Sequence, residues 1–122
     1  MKIRKAKLKD TEIIDKLNQK YFHERERDWR KLISSRSSEM FVLELNNKII
    51  GFTGLKYHDW NNASQIIDIF VHPSHRKKGY GIKLVKFLIK YLKGKKYRVL
   101  IAEVPSFNPV LILYLKNNFR IC

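Results

Sequence analysis

Arg76-Lys77-Lys78-Gly79-Tyr80-Gly81 places three cations directly ahead of two closely spaced glycines. Such a run offers consecutive backbone N–H groups that a ligand can approach closely, because glycine has no Cβ to keep it away. If a helix begins there, its N-terminus adds about half a positive charge to the three basic side chains. The chemistry these residues suit is the holding of a phosphate or pyrophosphate. Taken alone, Gly-x-Gly more often marks a tight turn. It lacks the third glycine of a dinucleotide fingerprint and the Gly-Lys-Ser/Thr of a P-loop.

The flanking residues supply the elements that must position this turn. Ile66-Ile67-Asp68-Ile69-Phe70-Val71 is β-branched and aromatic with one charge, the composition of an interior strand. Pro73 ends it, having no N–H to give to a ladder. From Ile82 the period becomes helical. Leu84, Val85, Leu88, Ile89 and Leu92 share one face, while Lys83, Lys86, Lys90 and Lys93 lie opposite. Burying the five apolar side chains is worth roughly 7–15 kcal/mol gross, so the helix should lie on a sheet.

The pattern V-x-P-x-x-R-x-x-G-x-G from Val71 to Gly81 resembles motif A of the GNAT family of N-acetyltransferases. The resemblance extends from about Lys2 to Phe119 and is closest to ribosomal-protein and protein N-terminal acetyltransferases. It implies a mixed α/β sheet, with strands one to four antiparallel, strands four and five parallel, and helices on both faces. It also implies acetyl-CoA as co-substrate. Its pyrophosphate would rest on Arg76, Lys77, Lys78, Gly79, Tyr80 and Gly81. The pantetheine arm would run along the main chain of Ile69, Phe70 and Val71, in a gap where the fourth and fifth strands part.

The same resemblance implies the catalytic residues. P-V-L-I-L-Y, with Phe119 five residues after Tyr114, is similar to motif B, whose tyrosine protonates the departing thiolate. A phenol of ordinary pKa near 10 is protonated at neutral pH and can donate. Asn108 stands six residues before Tyr114, where many members place asparagine seven before; with a turn one residue tighter it would still reach the cofactor. Asn118 replaces the usual glycine before the aromatic. Ile101-Ala102-Glu103-Val104 resembles the segment whose glutamate serves as general base, with Asp68 as competitor. At pH 7 about 0.04% of a lysine amine is free against roughly 10–20% of an N-terminal amine, so an N-terminal acceptor needs little from its base. The implied reaction is acetyl transfer to a primary amine of a protein or peptide, by direct attack in a ternary complex.

Bulk properties bound the alternatives. The 122 residues suit a single domain, 1–122. One cysteine excludes an internal disulfide framework and fits a reducing, cytoplasmic setting. No apolar run is long enough to span a membrane. Four scattered histidines give no metal-ligand spacing. The net charge of +15 points to a polyanionic partner beyond what one cofactor explains, with solubility as the plainer account. A nucleic-acid-associated or CoA-binding regulatory domain without turnover is the alternative function. Nucleic acid is not favoured, since no recognised motif or interleaved aromatic pattern is present.

The rest of the chain reads as follows. A strand over Lys2–Ala6 precedes a helix capped by Asp10, with Ile13, Ile14, Leu17 and Tyr21 inward. A second helix reaches Leu32 or Ile33. Tyr21, Phe22 and Trp29 are read as packing before acceptor lining. Met40–Leu45 and Lys48–Tyr57 form a hairpin across Asn46-Asn47. Gly94 is expected as a left-handed cap, Tyr97–Val104 as the fifth strand, and Val110–Lys116 as a last helix. The family's final hairpin is read as missing. That would leave the fifth strand an open edge, available for a homodimer.

Overall fold

The computed structural model describes residues 1–22, 28–58, 63–95, 97, 99–103 and 110–114, with 22, 102, 103 and 110–114 described by backbone alone. One six-stranded sheet runs in chain order: β1 (Lys2–Lys5), β2 (Ser38–Leu45), β3 (Lys48–His58), β4 (Ala63–Val71), β5 (Val99–Glu103) and β6 (Val110–Tyr114). The first four strands are antiparallel neighbours, and β4 and β5 are parallel. Between β1 and β2 lie α1 (Thr11–Leu17) and α2 (Trp29–Ser34), and α3 (Tyr80–Lys93) crosses from β4 to β5. The expected fold class holds through β5.

Alternation along β2 divides the core between the two faces of the sheet. Met40 and Val42 join Phe52, Phe70, Ile14 and Trp29 on the α1/α2 face. Phe41 packs with Leu55, Leu88, Leu92 and Leu100 on the α3 face, where Leu43 meets Leu84. The α3 stripe expected from its period is the buried one: Leu84, Leu88 and Leu92 have no exposed surface. Asn46 and Asn47 take φ of 53° and 64°, the left-handed pair that a tight hairpin demands and asparagine tolerates.

Several expectations are corrected. Asp10 does not cap α1 with its side chain. Its carboxylate accepts from the Arg4 guanidinium at 2.8 and 3.1 Å and from the Lys7 N–H at 2.7 Å. The Arg4 bond, opposed by burial and helped by Lys7, holds the Asp10 carboxyl below the usual carboxylate range. Ile13 is 42% exposed, because α1 is short and turns Ile14 rather than Ile13 to the sheet. Trp29, by contrast, is core as its packing reading had it, edge-on to Phe52 at 5.6 Å, with its Nε1 donating to Asp15 at 3.2 Å. Gly94 has φ of −85°, so no left-handed cap closes α3.

The largest correction concerns the C-terminal segment. Val110–Tyr114 is a strand and not a helix, pairing antiparallel with β5 from Val99↔Tyr114 to Glu103↔Val110. Val-Leu-Ile-Leu-Tyr suits either period over so short a run, and the unpaired β5 edge offers main-chain partners that a lone helix would not use. The fifth-strand edge is therefore covered from within the chain. The open β5 edge on which the expected homodimer rested is filled by β6.

Candidate cofactor and acceptor site

The site begins where β4 and β5 part. The two strands pair only over Ala63↔Val99, Ser64↔Leu100 and Gln65↔Ile101. At this closed end the Ser64 hydroxyl donates to the Val99 carbonyl at 3.1 Å. Beyond Gln65, β4 continues through Ile66–Val71 with pairing to β3 alone. A bulge at Ile67 interrupts the β3–β4 register, since Gly54 faces Asp68 and Leu55 faces Ile66. A bulge bends its strand and turns main-chain groups out of the ladder. One main-chain edge of β4 thus lines an opening gap.

The side chains along this stretch serve packing. Phe70 lies buried in the α1/α2 core, its ring tilted 30° to that of Phe52 at 5.1 Å, and Ile69 and Val71 pack on the α3 side. What this stretch leaves facing the gap is backbone. Asp68 is buried, and alternation puts it on the Phe70 face.

At its far end β4 runs into the basic turn. His72 Nδ1 accepts from the Ser74 N–H at 3.1 Å, capping the single helical turn Pro73–His75. The proton of the neutral imidazole therefore sits on Nε2. Burial, then the positive fields of His75, Lys20, Lys48 and Arg76, holds His72 below the usual histidine range. Arg76 Nε donates back to the Val71 carbonyl at 2.9 Å, folding the turn onto the strand end and leaving the residue exposed.

The turn then changes hand repeatedly. Lys77 has φ of +63° and Gly79 +83°. A left-handed lysine costs roughly 1–2 kcal/mol, which glycine at 79 avoids. Alternation of hand curls successive N–H groups toward a common centre, the geometry of an anion nest. Lys83 N–H bonds the Gly79 carbonyl at 3.1 Å, so the N–H groups of Tyr80, Gly81 and Ile82 precede the first intrahelical bond of α3. Gly79 provides no side-chain cap, and a Cβ at Gly79 or Gly81 would meet nothing within 4 Å. Donors, cations and open space coincide here, and these residues fit a pyrophosphate.

The structure brings the six turn residues and the β4 backbone together at one end of the gap. Glu103 ends β5 two residues past the last β4–β5 pair, at the rim of the gap. Tyr114 is not on a helix facing the gap. Its backbone pairs with Val99, level with Ala63 at the closed end, about 13 Å of strand short of Ile67. The side chains of Glu103 and Tyr114, and Asn108 altogether, lie outside the described residues. Among the described residues no group of three His, Cys, Asp or Glu could hold a metal.

Sequence reading missed one contact of the site. Tyr21, from the turn after α1, sets its ring edge-on to His72 at 4.6 Å and stacks on Phe70 at 6.4 Å. It joins the helical region to the root of the basic turn. The only sequence signal was an aromatic on the inward stripe of the first helix.

Similarity to known proteins agrees with this geometry. The chain is 32% identical over 75 residues to streptothricin acetyltransferase of Streptomyces lavendulae, a match spanning 61% of this chain but only 40% of that protein. Its fold superposes on a ribosomal-protein-alanine N-acetyltransferase from Brucella melitensis with a TM-score of 0.72 at 22% identity, over 88% of this chain and 83% of the other. An aminoglycoside 6'-N-acetyltransferase complexed with coenzyme A gives 0.69 at 16% identity, over 84% and 61%. Residues 7–119 match the acetyltransferase (GNAT) family, nearly the whole length of the strand, turn and helix framework described above. The chain belongs to the acetyltransferase (GNAT) family.

Proposed function

We propose that the protein is an acetyl-CoA-dependent N-acetyltransferase acting on a primary amine of a protein or peptide, by direct attack in a ternary complex. The observation that carries this reading is the parting of β4 and β5 beyond Gln65, on the same strand that ends in the Arg76–Gly81 turn. Acetyl-CoA supplies an activated acyl group and a thiolate leaving group. The chain's own residues bind and align it. The turn's N–H groups and cations take the pyrophosphate, and the β4 edge along Ile69–Val71 takes the pantetheine arm. Asn108 is a further contact implied by family membership.

Transfer forms the acceptor's C–N bond and breaks the thioester C–S bond, so one proton leaves the amine and one must reach the thiolate. Glu103, at the rim of the gap, is proposed as the base, directly or through water. The likeness of Pro109–Tyr114 to the family's motif B supports Tyr114 as the acid. The β6 register argues for solvent instead, because it holds Tyr114 at the closed end. A peptide acceptor fits the net charge of +15 better than a polycationic amine, which would be repelled on approach. The single cysteine supports a cytoplasmic setting, and no described helix is long and apolar enough to cross a membrane.

The test is thiol release from acetyl-CoA across N-terminal peptides, lysine peptides, polyamines and an aminoglycoside. Release that depends on a peptide amine supports the proposal. Acetyl-CoA binding without release for any acceptor would favour the regulatory alternative.

A further inference from the structure

The outer face of α3 has no place in the proposed reaction. Lys83, Lys86, Lys90 and Lys93 are all exposed on that face, and α3 contains no aspartate or glutamate. Surfaces that need only solubility mix charge signs, as α1 does where Glu12 and Lys16 pair at 3.2 Å one turn apart. On α3, Lys86 and Lys90 stand one turn apart with like charge, an arrangement that weakens a helix. Lys83, Lys86 and Lys90 have no carboxylate partner among the described residues.

We infer that this row is a docking face for the phosphate backbone of a double-helical nucleic acid. From Lys83 to Lys93 the row is about 15 Å long at 1.5 Å rise per residue. Along a duplex that length carries about nine phosphates, counting both strands. The contact is linear and purely cationic, which suits a phosphate ridge read without regard to sequence. A bilayer fits less well. Leu84, Leu88 and Leu92 of α3 are buried against the sheet, and Ile82 is its one exposed large apolar side chain, so the helix has little to insert and a membrane would gain mainly charge attraction. The inference does not depend on acetyl transfer.

The test uses fluorescence anisotropy with labelled 20-base-pair RNA and DNA duplexes between 50 and 200 mM KCl. Both should bind at micromolar Kd, with log K falling against log salt at a slope of about −4, near −0.9 per phosphate contacted. Lys86→Gln/Lys90→Gln should flatten the slope by about 2 and weaken binding at least tenfold at 100 mM. Its circular dichroism and acetyl-CoA affinity should match the parent's, because neither lysine is in the turn. Absent duplex binding, a slope unchanged in the variant, or acetyl-CoA affinity lost in parallel would each overturn the inference. So would lysine-dependent binding to phosphatidylserine vesicles without duplex binding. A parent that binds duplex but not acetyl-CoA would sink the enzymatic reading and leave this one intact.

Discussion

Replacing Gly79 separates charge from backbone in the proposed pyrophosphate site. Its φ of +83° means any side chain is strained there, yet a Cβ would touch nothing within 4 Å. Asparagine and aspartate are close in size and both tolerate the left-handed region better than other residues, so each should cost comparable folding stability, on the order of 1 kcal/mol. They differ by one negative charge. With two phosphate charges about 5–6 Å away and an effective dielectric of roughly 40–80, the repulsion totals about 1.4–3.3 kcal/mol. Gly79→Asp should therefore weaken acetyl-CoA binding about 10- to 250-fold relative to Gly79→Asn, which should stay within about threefold of the parent. Calorimetric titration with acetyl-CoA at moderate salt, with thermal melts as the folding control, measures both. Equal affinities for folded Asp and Asn variants would refute the placement of the pyrophosphate at this turn.

Gly51→Ala should destabilise by about 1–3 kcal/mol, because its Cβ would sit 2.6 Å from the Phe70 carbonyl oxygen and only backbone movement can relieve that; urea unfolding checks it. The Glu39 carboxylate accepts from Tyr57 at 2.6 Å and from Tyr91 at 2.7 and 2.8 Å, and pairs with Lys5 at 3.1 Å. Burial opposes its ionisation, but the bonds from Tyr57, Tyr91 and Lys5 outweigh it and hold the pKa below 4.5, while Tyr91 is pushed up to about 12 by burial and Glu39. The stability this network adds is present above pH 4.5 and lost as pH falls through the lowered pKa. Glu39→Gln should cost about 2–4 kcal/mol at pH 7 and progressively less as the pH falls below 4.5, and a pH-independent difference would contradict that. Tyr114→Phe should leave kcat within about threefold if β6 holds its register. A fall of tenfold or more with acetyl-CoA affinity retained would return Tyr114 to the gap as the acid, with the 110–114 segment on a helix.

Local chemistry determined much of this protein. The change of period between Val71 and Ile82, the asparagine pair at the hairpin and the demand for glycine at 79 all depend on backbone sterics and side-chain alternation over a few residues. For that reason strands two to four, α3 and the glycine turn that joins β4 to α3 were legible without a structure. Where the gap opens was not, since it rests on three strand pairs and a bulge whose partners lie far apart in sequence. The Asp10 carboxylate turns to Arg4 because β1 carries that guanidinium beside it, and no local rule for a helix cap contains that contact. Val110–Tyr114 shows the limit most plainly. Five apolar residues satisfy helix and strand alike over so short a span, and the choice falls to whichever partner is in reach: the unpaired backbone along β5, which exists only once β4 and α3 have set that strand in place.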